Sequence, residues 1–241
     1  MDTKRRLHLS IYYYIKNLLV EKGYIAQKAN DVLKQVSSAV YKASKDDWVY
    51  QDLNKYPVRV YDNGSLIDES YYSRDFRDGQ ITFSNYTPQG TITSNYYYHQ
   101  INLRRGYPHK ETFSEKDLPL IVVYYRGVPY VPFALGAQLE RADHRFTIDI
   151  FAQSQGQMQD LSDLIESWLL ETSELGEMGF ASGFPLLDNG EINTSFDSGI
   201  VLKYHKQDVS GVPFFAEGLT KMERFRYAID FSLISFKNYR N

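Results

Sequence analysis

The sequence contains no cysteine among its 241 residues. Without cysteine there can be no disulfide, no thiolate metal site and no cysteine nucleophile. Neither sign of charge is in excess: 27 Lys and Arg side chains against 30 Asp and Glu side chains give a formal net charge of -3. Because dedicated nucleic-acid binders usually carry a basic excess, this balance argues against that class of protein.

Long apolar runs are also missing. No stretch approaches the roughly 20 apolar residues that are needed to span a bilayer. The chain starts with a basic cluster, but polar residues interrupt the segment from Leu7 to Val20 that follows it. Because a secretory signal needs an unbroken apolar stretch, we expect the chain to stay in the cytoplasm where it is made, with no membrane partner.

Motifs for catalysis or metal binding are absent from the sequence. None of the five histidines has the spacing of a zinc site, no GxSxG nucleophile motif occurs, and no glycine-rich phosphate loop precedes a helix. Asp143, His144 and Asp149 are close in sequence, but the alternation around them indicates a strand and a turn with solvated polar groups. We therefore expect no enzyme activity, no catalytic residue, no metal and no cofactor.

Aromatic residues, in contrast, are abundant: 21 Tyr, 14 Phe and 2 Trp make up 15% of the chain. The chain begins with a segment of two apolar stripes at spacings of three and four, which predict two helices. The first stripe begins at Leu7 and ends before Gly23, and the second runs from Ala29 to Val40. Gly23 is expected to end the first helix.

Residues 48–106 have a different pattern, with short alternating runs separated by turn sequences. The turn sequences are Asn63-Gly64, Asp78-Gly79 and Pro88-Gln89-Gly90. This pattern predicts a small β-hairpin module. Its many tyrosines have two interpretations that the sequence leaves open: they form an assembly interface, or they enlarge a small core.

From residue 118 onward, strand patterns alternate with one helix. The strands are predicted at Leu118–Tyr125, Arg145–Phe151, Gly199–His205 and Arg224–Phe236, and the helix around Gln157–Leu169. The predicted fold is therefore α+β, with a mixed or antiparallel sheet flanked by helices. We expect a core domain made of residues 1–47 and 107–241, into which the hairpin module of residues 48–106 is inserted.

The strand–helix region resembles a known family. The run PLIVVYYRGVPYVPFALGAQLERADHRFTIDIFAQSQGQMQDLSDLIESWL is similar to the central part of phage tail terminator proteins, also called tail-completion or neck proteins of long-tailed bacteriophages. The similarity lies in an F-x-I-D-I-F-A strand, here Phe146–Ala152, followed by a helix with a Gln- and Asp-rich start. The hairpin region VYDNGSLIDESYYSRDFRDGQITFSNYTPQGTITSNYYY is similar to segments of virion structural proteins.

The resemblance covers about two-thirds of the chain, from Val58 onward, and implies a function in virus assembly. It implies a non-enzymatic virion structural protein that forms a homo-oligomeric ring, a hexamer, which caps the tail tube and joins it to the head–neck connector. The implied partners are other copies of the chain, the tail tube protein, the sheath protein and neck or head-completion proteins, with DNA only passing through the lumen. The implied location is the tail or neck of a virion assembled in the host cytoplasm.

The sequence also suggests which residues take part in assembly. We expect the interface to include tyrosines of the hairpin module and the exposed face of the last strand, namely Tyr71, Tyr72, Tyr96, Tyr97, Tyr98, Arg224 and Arg226. An alternative function is a carbohydrate- or receptor-binding module of a virion that uses the Tyr-rich β surface, because aromatic planes also bind sugar rings. A hydrolase with a dispersed Asp/His site is a second alternative, and it would need a deep pocket with perturbed carboxylates.

Overall fold

The computed structural model describes residues 3–106, 114–127, 130–132, 139–171, 177–181, 186–193, 197–203, 205–214 and 225–238. Two α-helices are present in these ranges, α1 at Thr3–Glu21 and α2 at Gln155–Glu171. Short 3-10 turns occur at Glu69–Tyr71 and Glu115–Asp117. The strands β1 to β16 are, in chain order, Ile25–Val32, Lys34–Gln35, Val40–Lys42, Arg59–Asp62, Ser65–Leu66, Tyr72–Asp75, Gln80–Phe83, Ile92–His99, Asn102–Arg105, Leu120–Gly127, Tyr130–Pro132, Leu139–Phe151, Glu177–Ala181, Asp197–Lys203, His205–Phe214 and Arg226–Asn238.

The fold is α+β, as the sequence predicted, and the chain divides into two compact units. Unit 1 contains Met1–Ile15, Ile101–Ser182 and Asp197–Asn241, and unit 2 contains Lys16–Gln100 and Gly183–Phe196. The β-rich unit therefore includes Lys16–Asp47, which the sequence analysis had assigned to the core domain, and a second piece from much later in the chain. The expected hairpin module, residues 48–106, accounts for only part of it.

Unit 1 is built on a mixed sheet with the strand order β15-β16-β12-β10-β9, and β11 also pairs with β12. The β9–β10 pair is parallel and the other pairs are antiparallel. The closing strand β16 pairs with β12 along its whole length, from Leu139 opposite Asn238 to Phe151 opposite Arg226. This long pair confirms the predicted last strand and forms the centre of the sheet.

Both helices cover the same face of the unit 1 sheet. In α1, His8 Nε2 lies 2.8 Å from the Val123 carbonyl oxygen, and the His8 ring packs edge-on against Phe146. In α2, Glu166 accepts a hydrogen bond of 2.8 Å from the Tyr227 hydroxyl. In the β12–β16 register Phe146 is opposite Phe231, and Phe231 lies on the same face of β16 as Tyr227 because the two are four residues apart. Phe146 and Tyr227 therefore lie on one face of the sheet.

The predicted end of α1 is also confirmed. Gly23 adopts φ +81°, and the Tyr24 N–H donates to the Leu19 carbonyl at 2.9 Å. This left-handed C-terminal turn satisfies carbonyl groups that the helix leaves unpaired, and glycine adopts it without strain.

The second predicted helix, from Ala29 to Val40, is wrong. This segment forms β1, β2 and the start of β3, and β1 pairs with β8. Of the apolar stripe, Leu33 is buried, whereas Val32 and Val36 are 59% and 61% exposed. Asn30 adopts φ +53°, which no α-helix tolerates, and its N–H donates to Asn95 Oδ1 at 2.7 Å. Pairing with β8 thus overrides the helical spacing.

Unit 2 contains two four-stranded antiparallel sheets, with the orders β1-β8-β4-β5 and β2-β3-β7-β6. Two of the three predicted hairpin turns are present, whereas Pro88-Gln89-Gly90 lies in a loop between β7 and β8, which belong to different sheets. Asn63 and Gly64 both adopt positive φ between β4 and β5, as a type I′ turn requires, and Asp78-Gly79 joins β6 to β7. The core of this unit includes the fully buried Trp48, whose ring stacks on Tyr96 at 4.7 Å.

Candidate assembly surface

The first sheet of unit 2, β1-β8-β4-β5, has one buried face and one outward face. Along β8 the even-numbered residues from Ile92 to Tyr96 are buried and the odd-numbered ones from Thr93 to Tyr97 are partly exposed. In the register, Val32 of β1 is opposite Thr93, which is opposite Tyr61 of β4, which in turn is opposite Leu66 of β5. These four residues therefore form one row across all four strands, which we call the outer row.

The outer row is apolar at both ends. Val32 is 59% exposed and Leu66 is 63% exposed, and Thr93 and Tyr61 between them are partly exposed. Large apolar side chains exposed singly are ordinary on a protein surface, but Val32 and Leu66 lie in one row that crosses a whole sheet. Exposed apolar side chains that share one face are typical of surfaces that become buried on association.

A tyrosine pair borders the same face. The Tyr97 ring packs edge-on against Tyr56 with 5.2 Å between ring centroids, and Lys55 Nζ lies 5.1 Å from the centre of the Tyr56 ring. Tyr56 and Val49 belong to a small apolar cluster against which Tyr97 is partly buried. Tyr97 thus combines a fixed ring with exposed area, as interface tyrosines do.

The five tyrosines expected at the interface have different environments. Tyr71 is 43% exposed, and Tyr97 and Tyr98 are partly exposed. Tyr96 is fully buried and Tyr72 is 7% exposed, so these two are core residues of the unit and do not present their side chains for assembly. Strand alternation explains the difference along β8, because Tyr96 and Tyr97 must point to opposite faces.

Burial makes Tyr96 part of a polar cluster inside unit 2. Its hydroxyl donates to Asp31 Oδ2 at 2.6 Å and accepts from the Lys45 N–H at 3.2 Å, and Asp31 also accepts from the Ser44 N–H at 2.8 Å. Burial, followed by the hydrogen bond to Asp31, raises the pKa of Tyr96. Burial also acts to raise the pKa of Asp31, but the hydrogen bonds from Tyr96 and Ser44 outweigh it and the pKa is lowered.

Of the two arginines expected at the interface, Arg224 lies outside the described residues. Arg226 begins β16 and forms an ion pair in unit 1: its Nε and Nη2 lie 3.0 and 2.9 Å from Asp149 Oδ1. Asp149 has no exposed side-chain area, and burial raises its pKa against the opposing effect of Arg226. Arg226 therefore neutralises a buried carboxylate of its own sheet.

A second polar contact lies on the same face of this sheet. Thr147 donates from its hydroxyl to Asp230 Oδ1 at 2.5 Å, and Arg126 Nη1 lies 3.4 Å from the same carboxylate. The Arg126 side chain is 56% exposed and that of Asp230 is 50% exposed. The Arg126–Asp230 ion pair is therefore exposed to solvent, in contrast to the Arg226–Asp149 pair.

The residues considered for acid–base chemistry do not come together. His144 shares a face of β12 with Phe146, and it lies 3.1 Å from the Tyr125 hydroxyl through Nδ1. Asp149 is on the opposite face by strand alternation and is bound by Arg226. Among the described residues, no group of three or more His, Cys, Asp and Glu side chains has the arrangement of a metal site.

Two features of unit 2 were not found from the sequence. The sequence patterns place Val32 in a predicted helix and Leu66 in the predicted hairpin module, and only the register across four strands brings the two residues into one row. The second feature is a cavity beside β6, lined in part by Glu69, Arg74 and Glu191. Glu191 is far from Glu69 and Arg74 in the chain and the three residues match no motif, so no sequence signal could have predicted the cavity.

Comparison with protein-family models found no family that matches the chain, and comparison with curated proteins found no significant relative. Within the described ranges, neither helix is long and apolar enough to cross a membrane.

Proposed function

We propose that this chain is a non-enzymatic structural protein of a phage virion, a tail terminator or neck protein that assembles into a hexameric ring on the tail tube. The observation that carries the proposal is the sheet-and-helix arrangement of unit 1. The described residues of the run that resembles the terminator family form β10, β11, β12 and α2 of that arrangement.

The order of elements in this piece supports the proposal. Strand β12 contains the F-x-I-D-I-F-A sequence and leads directly to α2, which buries Met158, Leu161, Ile165 and Leu169. Strand β16 then pairs with the whole of β12. A strand, a helix packed on the sheet and a long closing strand are what the family resemblance implies.

The outer row supports the self-association that a ring requires. A closed ring uses a heterologous interface, in which one surface of a subunit meets a different surface of the next. Val32 and Leu66 supply exposed apolar area for one of these surfaces. In the proposed assembly, further surfaces contact the tail tube, the sheath and the neck, and DNA passes through the lumen without specific contacts.

The first test is the mass of the protein in solution, measured by light scattering after gel filtration, with negative-stain images of the same peak. Six copies would weigh 6 × 28.1 kDa = 168.6 kDa. We expect a ring with an open centre near this mass. A monomer of 28.1 kDa over the whole accessible concentration range would contradict the ring.

A matched pair of variants locates the interface. Leu66→Lys places a charge on the outer row and should reduce the hexamer fraction at least about tenfold, because burying an unpaired ammonium is costly. Leu187→Lys is the control, since Leu187 is 44% exposed on a loop of the same unit and away from the row. Equal loss of hexamer in both variants would show that the outer row is not the interface.

A further inference from the structure

A cavity of about 240 Å³ lies in unit 2 along β6, which is the last strand of its sheet. Ligand pockets for drug-sized molecules usually measure about 300 to 1,000 Å³. The cavity is therefore large enough for a single small ring and too small for an extended ligand. Its walls come from β6, from the turn at Glu69–Tyr71, and from the segment around Glu191.

The wall that contains Glu191 is held firmly against β6. The Phe76 N–H donates to the Gly190 carbonyl at 3.0 Å, and Arg77 Nη2 donates to the Leu187 carbonyl at 2.8 Å. Gly190 adopts φ +79°, and a Cβ at this position would clash with the Asp75 carboxylate. A tight turn between Leu186 and Ile192 thus fixes Glu191 at the cavity.

An ion pair holds the opposite wall of the cavity in place. Arg74 Nη2 lies 2.5 Å from Glu69 Oε2, and the Arg74 guanidinium lies 5.2 Å from the centre of the Tyr72 ring. Glu69 is itself placed by a short 3-10 turn that Asp68 caps through the Ser70 N–H. Burial raises the pKa of Tyr72, so its phenol stays protonated.

The charges that line the cavity decide which ligands can enter. Arg74 is neutralised by Glu69, and Glu191 adds a second carboxylate, so the lining has a net negative charge. Because like charges repel at short distance, phosphate, sulfate and carboxylate ligands are disfavoured. Among uncharged ligands, the lining suits one that can both donate and accept hydrogen bonds, because it contains a guanidinium, a serine hydroxyl and carboxylates.

The apolar part of the lining points to the same class of ligand. Tyr72 and Phe76 contribute aromatic rings, and Leu53 and Ile192 contribute aliphatic side chains. A sugar ring has hydroxyl groups around its rim and C–H groups on its faces, so it needs polar partners and an apolar wall together. Carboxylates accept from sugar hydroxyls, and a guanidinium or serine hydroxyl donates to sugar oxygens.

We propose that this cavity binds one neutral monosaccharide unit, with Glu191 accepting from its hydroxyl groups and Tyr72 and Phe76 packing against its C–H face. The site is independent of the proposed ring, because every residue that forms it belongs to unit 2 of a single chain. A ligand of about 12 non-hydrogen atoms in a shallow cavity is expected to bind with a Kd on the order of 1 mM.

The test is a nuclear magnetic resonance titration of the full-length chain with D-glucose, D-galactose, D-mannose and N-acetyl-D-glucosamine. We expect saturable shifts of amide signals around β6 and Glu191 for at least one of these sugars. D-glucuronate serves as the anionic counterpart and should bind at least about tenfold more weakly.

Two variants test the assigned residues. Glu191→Gln removes the charge with little change of shape and should weaken the sugar about tenfold or more, since it removes charge-assisted hydrogen bonds. Glu21→Gln is the matched control, because Glu21 is an exposed residue of the same unit away from the cavity, and it should bind as the unaltered chain does. A second variant, Ser73→Trp, keeps the test valid if Glu191→Gln disturbs the fold. It fills the cavity from an exposed strand position and should abolish binding.

Three results would overturn the proposal. The first is the absence of saturable shifts with all four neutral sugars at about one hundred times the expected Kd. The second is tighter binding of glucuronate than of its neutral counterparts. The third is unchanged sugar binding in the Ser73→Trp variant.

Discussion

The two compact units use different partners for their buried carboxylates. In unit 1, Asp149 faces a charged partner, and Arg226 contacts it through two nitrogens at 3.0 and 2.9 Å. In unit 2, Asp31 is held by the hydroxyl of Tyr96 and the N–H of Ser44, which are both neutral donors. The pKa of Asp149 is nevertheless raised and that of Asp31 is lowered.

This contrast shows that the balance between desolvation and hydrogen bonding, and not the charge of the partner alone, sets the direction of the pKa shift. Asp149 has no exposed area, and Asp230 on the neighbouring strand adds a like charge that also raises its pKa. Asp31 remains 7% exposed and has donors on both sides, so its hydrogen bonds outweigh the loss of hydration. An arginine beside a fully buried carboxylate therefore prevents a large penalty and adds little stability of its own.

The largest predicted effect follows from this view of unit 1. Arg226→Met should lower the free energy of unfolding by about 3 to 5 kcal/mol, because it removes the cation that faces the buried Asp149 carboxylate. Arg126→Met is the control, since the solvated contact of Arg126 with Asp230 should contribute less than about 1 kcal/mol. Urea denaturation followed by circular dichroism measures both values.

Equal and small losses in these two variants would mean that Arg226 is not needed to neutralise Asp149. The predicted result also changes the interpretation of Arg226 in assembly. Reversing its charge would place a negative group beside a buried carboxylate, so a loss of rings in such a variant would reflect an unstable subunit. A substitution of Arg226 therefore cannot test the assembly interface, whereas substitutions in the outer row can.

The second prediction concerns a buried histidine of unit 2. Neither ring nitrogen of His99 has a hydrogen-bond partner, and burial, followed by the positive charge of Lys16, lowers the pKa of His99 to about 3, with Asp47 acting in the opposite direction. The unfolded chain protonates this group near pH 6.5, so it binds more protons than the folded chain between these two values. Stability should therefore fall with decreasing pH, by about 2 kcal/mol from about pH 8 to about pH 5.

His99→Leu separates this effect from those of other groups that titrate in the same range. The substitution removes no hydrogen bond and keeps an apolar contact with Tyr50, whose ring lies 6.5 Å from that of His99. We expect the variant to lose about 2 kcal/mol less than the unaltered chain over the same pH interval, as measured by urea denaturation at each pH. Parallel pH profiles of the two proteins would contradict a neutral buried His99.

The difference between the units also explains how much of the fold the sequence could predict. In unit 1, β12 and β16 each contain a long alternating stretch and α2 has one apolar stripe, so a local pattern was enough to identify them. In unit 2, β1 reads IAQKANDV and has only Asp31 buried, and a β-bulge falls between Lys28 and Asp31. Its strand conformation depends on β8, which is distant in sequence, and a helical stripe was therefore a misleading signal.

The candidate sites were harder to predict than the fold. The three consecutive tyrosines Tyr96, Tyr97 and Tyr98 show that a strand has two faces, but the face that becomes buried is fixed by Trp48 and Asp31, with which Tyr96 packs and bonds. In the same way, Arg226 has the sequence environment of an exposed strand residue, and only the register with β12 brings it to Asp149. Both outcomes depend on contacts between distant residues.

The smallest predicted effect tests the neutral donors of unit 2. Tyr96→Phe removes the hydroxyl that bonds Asp31 and the Lys45 N–H but keeps the ring stacked on Trp48. Because Asp31 keeps the N–H of Ser44, we expect a loss of about 1 kcal/mol at neutral pH. Tyr97→Phe is the matched control on the outward face of the same strand, and it should change stability by less than about 0.5 kcal/mol.

The pH dependence of that loss identifies its cause. Because the folded pKa of Asp31 is lowered, its contribution to stability is present above the unfolded value of 3.8 and disappears as the pH falls through the folded value. The hydroxyl of Tyr96 is one source of this lowering, so the gap between the unaltered chain and Tyr96→Phe should narrow as the carboxylate is protonated. A gap that stays constant from neutral pH to about pH 2 would assign the loss to the Lys45 N–H and not to the carboxylate.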